Sequence, residues 1–322
     1  MGRFNRVWSV ALRCESWVVA LTLAVISHDA GGAELLASYV ARGDISCHLV
    51  LDGPAVKVFE RRLGDIETVS LDVALDNCDE FLTGTSWQSD LEWRAIGMAQ
   101  AAGKSVSSFL DHWGNYGERF LRGGVQHLPN ALWVGDEIAK NLAQLVFPLV
   151  PVHCVGNPYF DDIRETVAEL DAGLPPVLTA GVRVLFVCEP LTEHGLKEYD
   201  NPLYWGYTEY DALRYFFSNR AALGKRLTRL VIRPHPSEMA GKYDEIASEF
   251  GDVACVGGRK SLLEEIAESD VVVGCESMAM VVGLIAGRRV IAAIPPGGLP
   301  CALPQVEIES LQVLLKSKKN AQ

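Results

Sequence analysis

The segment Arg233-Pro234-His235-Pro236-Ser237-Glu238 sets one imidazole between two prolines, directly behind a guanidinium. Each proline fixes φ at about −65°, so the ring is presented with little backbone entropy left to lose. A histidine held this way can hydrogen-bond a phosphate oxygen, and Arg233 can add a charge-assisted contact. The plainer alternative is that His235 satisfies a carbonyl of its own turn. Further along, Ser269-Asp270-Val271-Val272-Val273-Gly274-Cys275-Glu276-Ser277-Met278-Ala279 reads as a helix end, a buried strand, a tight turn and the opening of another helix. Ser277 is a natural N-cap. The N–H groups beyond it, with the positive end of the helix dipole, make an anion site in which Ser277, Met278 and Ala279 would hold a phosphate oxygen. A bare N-cap explains the same residue type.

The N-terminal half carries Ser27-His28-Asp29-Ala30-Gly31-Gly32-Ala33-Glu34 at the end of an apolar run. Gly31 and Gly32 allow close approach of backbone to a ligand, and Asp29 or His28 could act as general base toward a hydroxyl. Asp29 is equally suited to capping the helix that follows. Asp111-His112-Trp113-Gly114-Asn115-Tyr116 mixes carboxylate, imidazole, amide and aromatic faces, a combination suited to a sugar ring, with Asp111 as the rival base. The alternative is an aromatic loop packed into the protein. Glu189, in Cys188-Glu189-Pro190, ends the first strand of the C-terminal half and either touches a bound ligand's base or sugar, or caps.

These residues need elements to hold them, and short apolar runs alternate with helical patterns almost throughout, the signature of βαβ units and parallel sheets. One series runs through strands 21–26, 47–51, 79–83, 105–110, 131–134 and 150–155, with helices near 33–41, 55–63, 90–102 and 136–145. A second runs through strands 182–188, 230–233, 253–256, 271–274 and 290–294, with helices at 211–223, 243–250, 262–268, 277–286 and 307–316. Between them, Gly156-Asn157-Pro158, a polar helix and the loop 173–181 read as a linker. The expected fold is α/β, two Rossmann-like domains in tandem with a cleft between them. Residues 1–18 are an extension, 19–156 an N-terminal domain on the acceptor side, 157–181 the linker and 182–322 a C-terminal domain on the nucleotide side. Arg3, Arg6 and Arg13 before the apolar run 17–26 imitate a signal peptide. The run lacks a convincing cleavage site and is short for a membrane span, so it reads instead as leading into the first buried strand.

A chain of 322 residues with 49% hydrophobic and 22% charged residues can bury two cores and is neither disordered nor collagenous. Its net charge of −12 argues against binding nucleic acid through the backbone, but leaves room for a local anion site. The eight cysteines never form CxxC, so a zinc site or disulfide framework is not expected.

At the two loops around His235 and Ser277, residues 182–295 resemble the nucleotide-binding domain of GT-B-type glycosyltransferases. The nearest likeness is to bacterial capsule and cell-wall polymer transferases of the polysialyltransferase-like and CDP-glycerol glycerophosphotransferase-like groups, whose His-Pro motif looks like Arg233-Pro234-His235-Pro236. The resemblance implies that His235 and Ser277 contact donor phosphates. Many related sugar-nucleotide enzymes hold the donor ribose with a Glu in the following helix. Val282 stands at that place here, with Glu276 as a substitute. The implied activity is transfer of a sugar or polyol phosphate from a nucleotide-activated donor to a surface polysaccharide or glycoconjugate. The alternatives are a sugar-nucleotide 2-epimerase or hydrolase of the same fold, and a non-catalytic nucleotide-binding partner in polysaccharide assembly. No cofactor beyond the donor and no metal is required. The implied partners are a nucleotide-sugar donor and a saccharide or glycolipid acceptor, in the cytoplasm or peripherally at the inner membrane.

Overall fold

The computed structural model describes residues 21–86, 89–174 and 181–319; the extension 1–18 and most of the loop 173–181 lie outside them. The described residues up to Phe109, with Gly117–Trp133 and Leu149–Pro151, form one compact unit, and Leu110–Tyr116, Val134–Pro148 and the chain from Val152 onward form a second. Among the described residues no helix is long and apolar enough to cross a membrane.

The first sheet contains β1 (Leu23–Ser27), β2 (Cys47–Leu51), β3 (Glu80–Thr83) and β4 (Ser105–Leu110). After a small antiparallel hairpin, β5 (Leu121–Arg122) with β6 (Val125–Gln126), it is completed by β7 (Ala131–Val134) and β8 (Val152–Cys154), in the order β2-β1-β3-β4-β7-β8. The pairs β1–β2, β1–β3 and β3–β4 are parallel. Chain order therefore turns around at β1, whose neighbours are β2 on one side and β3 on the other.

The second sheet contains β9 (Gly181–Val187), β10 (Arg226–Arg233), β11 (Ala254–Val256), β12 (Val271–Gly274), β13 (Arg289–Ala292) and β14 (Glu309–Ser310), all pairs parallel, in the order β11-β10-β9-β12-β13-β14. Its turnaround lies between β9 and β12. In open parallel sheets the loops leaving the carboxyl ends of the strands at such a switch point diverge to opposite faces and leave a crevice there.

The strands are apolar runs because both faces of the sheet are covered. In β9, Val182, Val184 and Phe186 pack into a core with Phe216, Leu230, Tyr243 and Ile291. Leu185 and Val187 point the other way, into a core with Ile163, Val272, Met280 and Val290. That alternation is the period of two expected of a strand. Helix starts follow local chemistry: Ser261 and Glu264 form a capping box ahead of the helix Leu262–Ala267, and Thr208 and Asp211 another ahead of Glu209–Ser218.

Candidate functional site

At the switch point of the second sheet, the loop leaving β9 carries Glu189 and the loop leaving β12 carries Cys275, Glu276 and Ser277. Glu189 Oε1 accepts hydrogen bonds from all three backbone N–H groups, at 3.2, 2.7 and 2.9 Å. Ser277 is the N-cap of the helix Met278–Ile285, and its hydroxyl accepts from the Ala279 N–H at 3.2 Å. Convergent amides at the positive end of a helix form a nest for an anionic oxygen, and in this structure the chain supplies that oxygen itself. Burial raises the Glu189 carboxyl pKa to about 7, with the nearby Glu276 carboxylate adding to the rise against the opposing pull of the amides. Glu276 also accepts from the Ala302 N–H at 3.2 Å. Met278 is the first helical residue, half-buried against the second-unit core.

The neighbouring strand, β10, runs into the proline-bracketed histidine. His235 Nδ1 accepts the Ser237 N–H at 3.2 Å and lies 2.7 Å from the Ser237 hydroxyl. An amide N–H can only donate, so the neutral imidazole carries its proton on Nε2 and offers a donor there. Desolvation lowers the His235 pKa and so favours the neutral imidazole, against the opposing attraction of Glu238 for the charged form. The loop is pinned from below by Glu238, whose side chain is 0% exposed. One Glu238 oxygen accepts the His235 N–H at 2.7 Å; the other accepts the Tyr243 hydroxyl at 2.6 Å and pairs with Lys242 at 2.8 Å. Lys242 in turn holds Glu209 and Glu193. Arg233 Nη1 donates to one Glu265 oxygen at 2.6 Å, while the other Glu265 oxygen accepts the Gly258 N–H at 2.6 Å. Its visible work is to tie β10 to the loop after β11.

At the switch point of the first sheet the chemistry differs. Asp29 has the backbone of an N-cap to the helix Ala30–Gly43, yet its side chain makes no capping bond. Asp29 Oδ1 instead lies 2.7 Å from His28 Nδ1 and accepts the Ser86 hydroxyl at 2.7 Å. A carboxylate only accepts, so Nδ1 carries the imidazole proton and the lone pair sits on Nε2, the arrangement a general base requires. Gly53, at φ +54°, abuts that nitrogen: a Cβ on Gly53 would lie 2.5 Å from His28 Nε2. Gly32 brings the first turn of its helix against Gly84, beyond β3, with room for only a methyl between them, and Gly31 is exposed on the same turn.

Beneath the pair lies Glu92, 3% exposed, whose Oε1 accepts the His28 N–H at 2.7 Å. Its Oε2, and the hydroxyl of Ser27 at 1% exposure, are buried with no hydrogen-bond partner among the described residues. Burial raises the Glu92 pKa to about 7, with Asp29 adding to the rise. Glu92, Ser86 and Gly53 escaped the sequence reading. A signal for Glu92 existed: at 92, 95, 96 and 99 it shares the helical spacing of buried Ala95, Ile96 and Ala99, a charge on the core stripe.

The structure thus joins Glu189 to Glu276 and Ser277, and His28 to Asp29. Arg233 ends β10 and His235 lies in the loop that follows it. Asp111 follows β4, half-buried, in the segment Leu110–Tyr116 that belongs to the second unit, whereas His28 and Asp29 belong to the first.

No family model matches the chain, and no curated protein matches it in sequence. Solved structures do match in fold. A UDP-GlcNAc 2-epimerase from Neisseria meningitidis, bound to UDP-GlcNAc, superposes with a TM-score of 0.57 at 12% identity, covering 93% of this chain and 91% of that one. A second structure assigned to UDP-N-acetylglucosamine 2-epimerases, from Listeria monocytogenes, gives a TM-score of 0.53 at 13% identity, over 84% of this chain and 79% of that one. At such identities the likeness shows the fold alone: two parallel α/β sheets in tandem, of the GT-B type.

Proposed function

We propose that the chain is a GT-B-type transferase that moves a sugar or polyol-phosphate unit from a nucleotide-activated donor to a saccharide acceptor. The observation that carries this is the amide nest of Cys275, Glu276 and Ser277, built at the switch point of a parallel sheet and already holding a carboxylate oxygen. A donor phosphate oxygen has the same chemistry as the oxygen it would replace. As Glu189 withdraws, the amides take the phosphate, and the Nε2–H of His235 donates to another of its oxygens. Ser277 and Met278 open the helix whose dipole faces the leaving nucleotide. Arg233 acts indirectly, by fixing the His235 loop through Glu265. Glu276 is the remaining carboxylate for the donor ribose, because Val282 is buried in the apolar core and cannot serve.

In the first unit the His28–Asp29 pair takes the proton from the acceptor hydroxyl, with Gly31 and Gly32 opening the backbone to the ligand. Asp111 is the rival base. A second reading has one observation in its favour, the similarity to a 2-epimerase bound to UDP-GlcNAc: the same nest would hold the nucleotide while the sugar is epimerised or released to water.

Incubation with UDP-GlcNAc, CDP-glycerol and CMP-activated sugars separates the two. A transferase leaves each donor largely intact until a saccharide acceptor is added; rapid conversion to free nucleotide and altered sugar without acceptor would establish the second reading instead.

A further inference from the structure

We propose that a pocket on the second unit, between Trp113, Phe160 and the last turns of the helix Met278–Ile285, binds a neutral saccharide ring. The pocket has a volume of about 500 Å³ and is lined wholly by residues of that unit, a size at which small-ligand sites are found. One wall is aliphatic, made by Val281, Leu284 and Ile285. Another is aromatic: the rings of Trp113 and Phe160 stack at 6.4 Å between centroids and 28° between planes. Such surfaces pack against the C–H faces of a pyranose.

The polar groups decide the charge of the occupant. The Trp113 indole N–H donates to both oxygens of Asp136, at 2.9 and 3.2 Å, and Oδ1 also accepts the Ala139 N–H at 2.7 Å as the cap of the helix Glu137–Val146, which fixes the carboxylate at the pocket and leaves Oδ2 a lone pair to offer. Arg164 is paired with Asp161 at 2.6 Å. Glu307 adds a second carboxylate outside that pair. Gln305 contributes a side-chain oxygen that is buried without a hydrogen-bond partner among the described residues. Carboxylates therefore outnumber cations in the lining, Asp136, Asp161 and Glu307 against Arg164 alone. A phosphate or carboxylate would meet like charge and more acceptors, whereas the hydroxyls of a neutral sugar donate to Asp136, Gln305 and Glu307. The aliphatic wall favours a ring over a compact cation.

Of the lining residues on this helix, Val281 lies four residues and Ile285 eight residues beyond Ser277, on the order of 6 and 12 Å along the helix from the amide nest. The pocket therefore lies beside the nest along the same helix, and we assign its ring to an acceptor chain rather than to the donor. That last identification rests on the transferase reading; the pocket and the class of its occupant do not.

The test is saturation-transfer NMR and calorimetry on the full chain with galactose, N-acetylglucosamine and chitobiose, and with N-acetylneuraminic acid as the anionic counter-probe. At least one neutral probe is expected to bind saturably, with affinity falling at least about tenfold in both Trp113→Ala and Gln305→Ala and unchanged in His235→Ala. Gln305→Ala removes an oxygen with no hydrogen-bond partner among the described residues, so it tests the pocket even where loss of Trp113 disturbs the fold. The proposal is overturned if no neutral probe saturates, if binding survives both substitutions, or if the anionic sugar binds better than the neutral ones. Sugar binding without any nucleotide binding would sink the transferase reading and leave the pocket standing; nucleotide binding at His235 without sugar binding would do the reverse.

Discussion

Two switch points, one in each sheet, occupy the same topological place and are finished with opposite chemistry. In the second sheet, β9 and β12 deliver backbone donors, the amides of Cys275, Glu276 and Ser277, and the helix dipole behind them. In the first, β1 and β3 deliver side-chain acceptors and a base, His28 on Asp29, with Ser86 donating and Glu92 beneath. Parallel-sheet topology dictates that a crevice exists at each place; the residue types decide what it can do. A donor-rich end suits an anion, and an acceptor-rich end suits a proton. Both contain a carboxyl whose pKa burial raises to about 7, Glu189 in one and Glu92 in the other.

The contrast breaks most severely if the first switch point is not the proton-accepting one. Asp29→Asn should lower turnover by about 10²- to 10⁴-fold, the usual reach of general-base catalysis, with donor affinity unchanged. Asp111→Asn, assayed beside it, should leave turnover near wild type; the opposite pattern would transfer the base to Asp111.

Stability against pH probes what the two sites share. A carboxyl whose folded pKa lies above its unfolded value stabilises the fold fully at low pH, and the benefit is lost as pH rises from the ordinary 4.5 through about 7. Each of Glu92 and Glu189 should then cost wild type about 3 kcal/mol between pH 4 and pH 8 relative to its Gln variant. Urea titrations at the two pH values check this, and parallel stability curves for wild type and E92Q would show that Glu92 is not held near neutrality.

A smaller effect sharpens the geometry of the first site. Gly53 has φ +54° and ψ −138°, a region closed to other residues, and its Cβ would strike His28 Nε2. Gly53→Ala should cost about 1–3 kcal/mol of stability and displace the imidazole. An unchanged thermal midpoint and an unchanged His28 ring signal by NMR would refute the contact.

Much of the fold was legible because buried strands announce themselves. The strands at 47–51, 105–110, 131–134 and 271–274 stand where the apolar runs placed them. β10 begins at Arg226, four residues before the expected start, because its first half is mostly solvent-exposed and carries no hydrophobic signal. The helix Leu71–Asn77, the β5–β6 hairpin and the two-residue β14 were too short to show a period. Because β14 takes Glu309 and Ser310, the last helix runs over Leu311–Lys319, later than the sequence pattern places it. At the sites, the candidate loops could be named from turn and cap chemistry, but not their partners. Glu189 reaches amides 86 to 88 residues away, and Ser86 reaches Asp29 across 57; only the strand order brings them together. Arg233, which the sequence offers as a charge-assisted phosphate contact, pairs with Glu265, 32 residues away.

The second switch point as a phosphate site is the centre of this account, and a calorimetric titration of UDP, CDP, ADP and CMP into wild type, His235→Ala and Glu189→Ala tests it most directly. One nucleotide should bind wild type, bind His235→Ala more weakly by about 1–3 kcal/mol through loss of a hydrogen bond to a charged oxygen, and bind Glu189→Ala more tightly because the nest has lost its resident carboxylate. Equal affinity in wild type and His235→Ala, with no gain in Glu189→Ala, would contradict it.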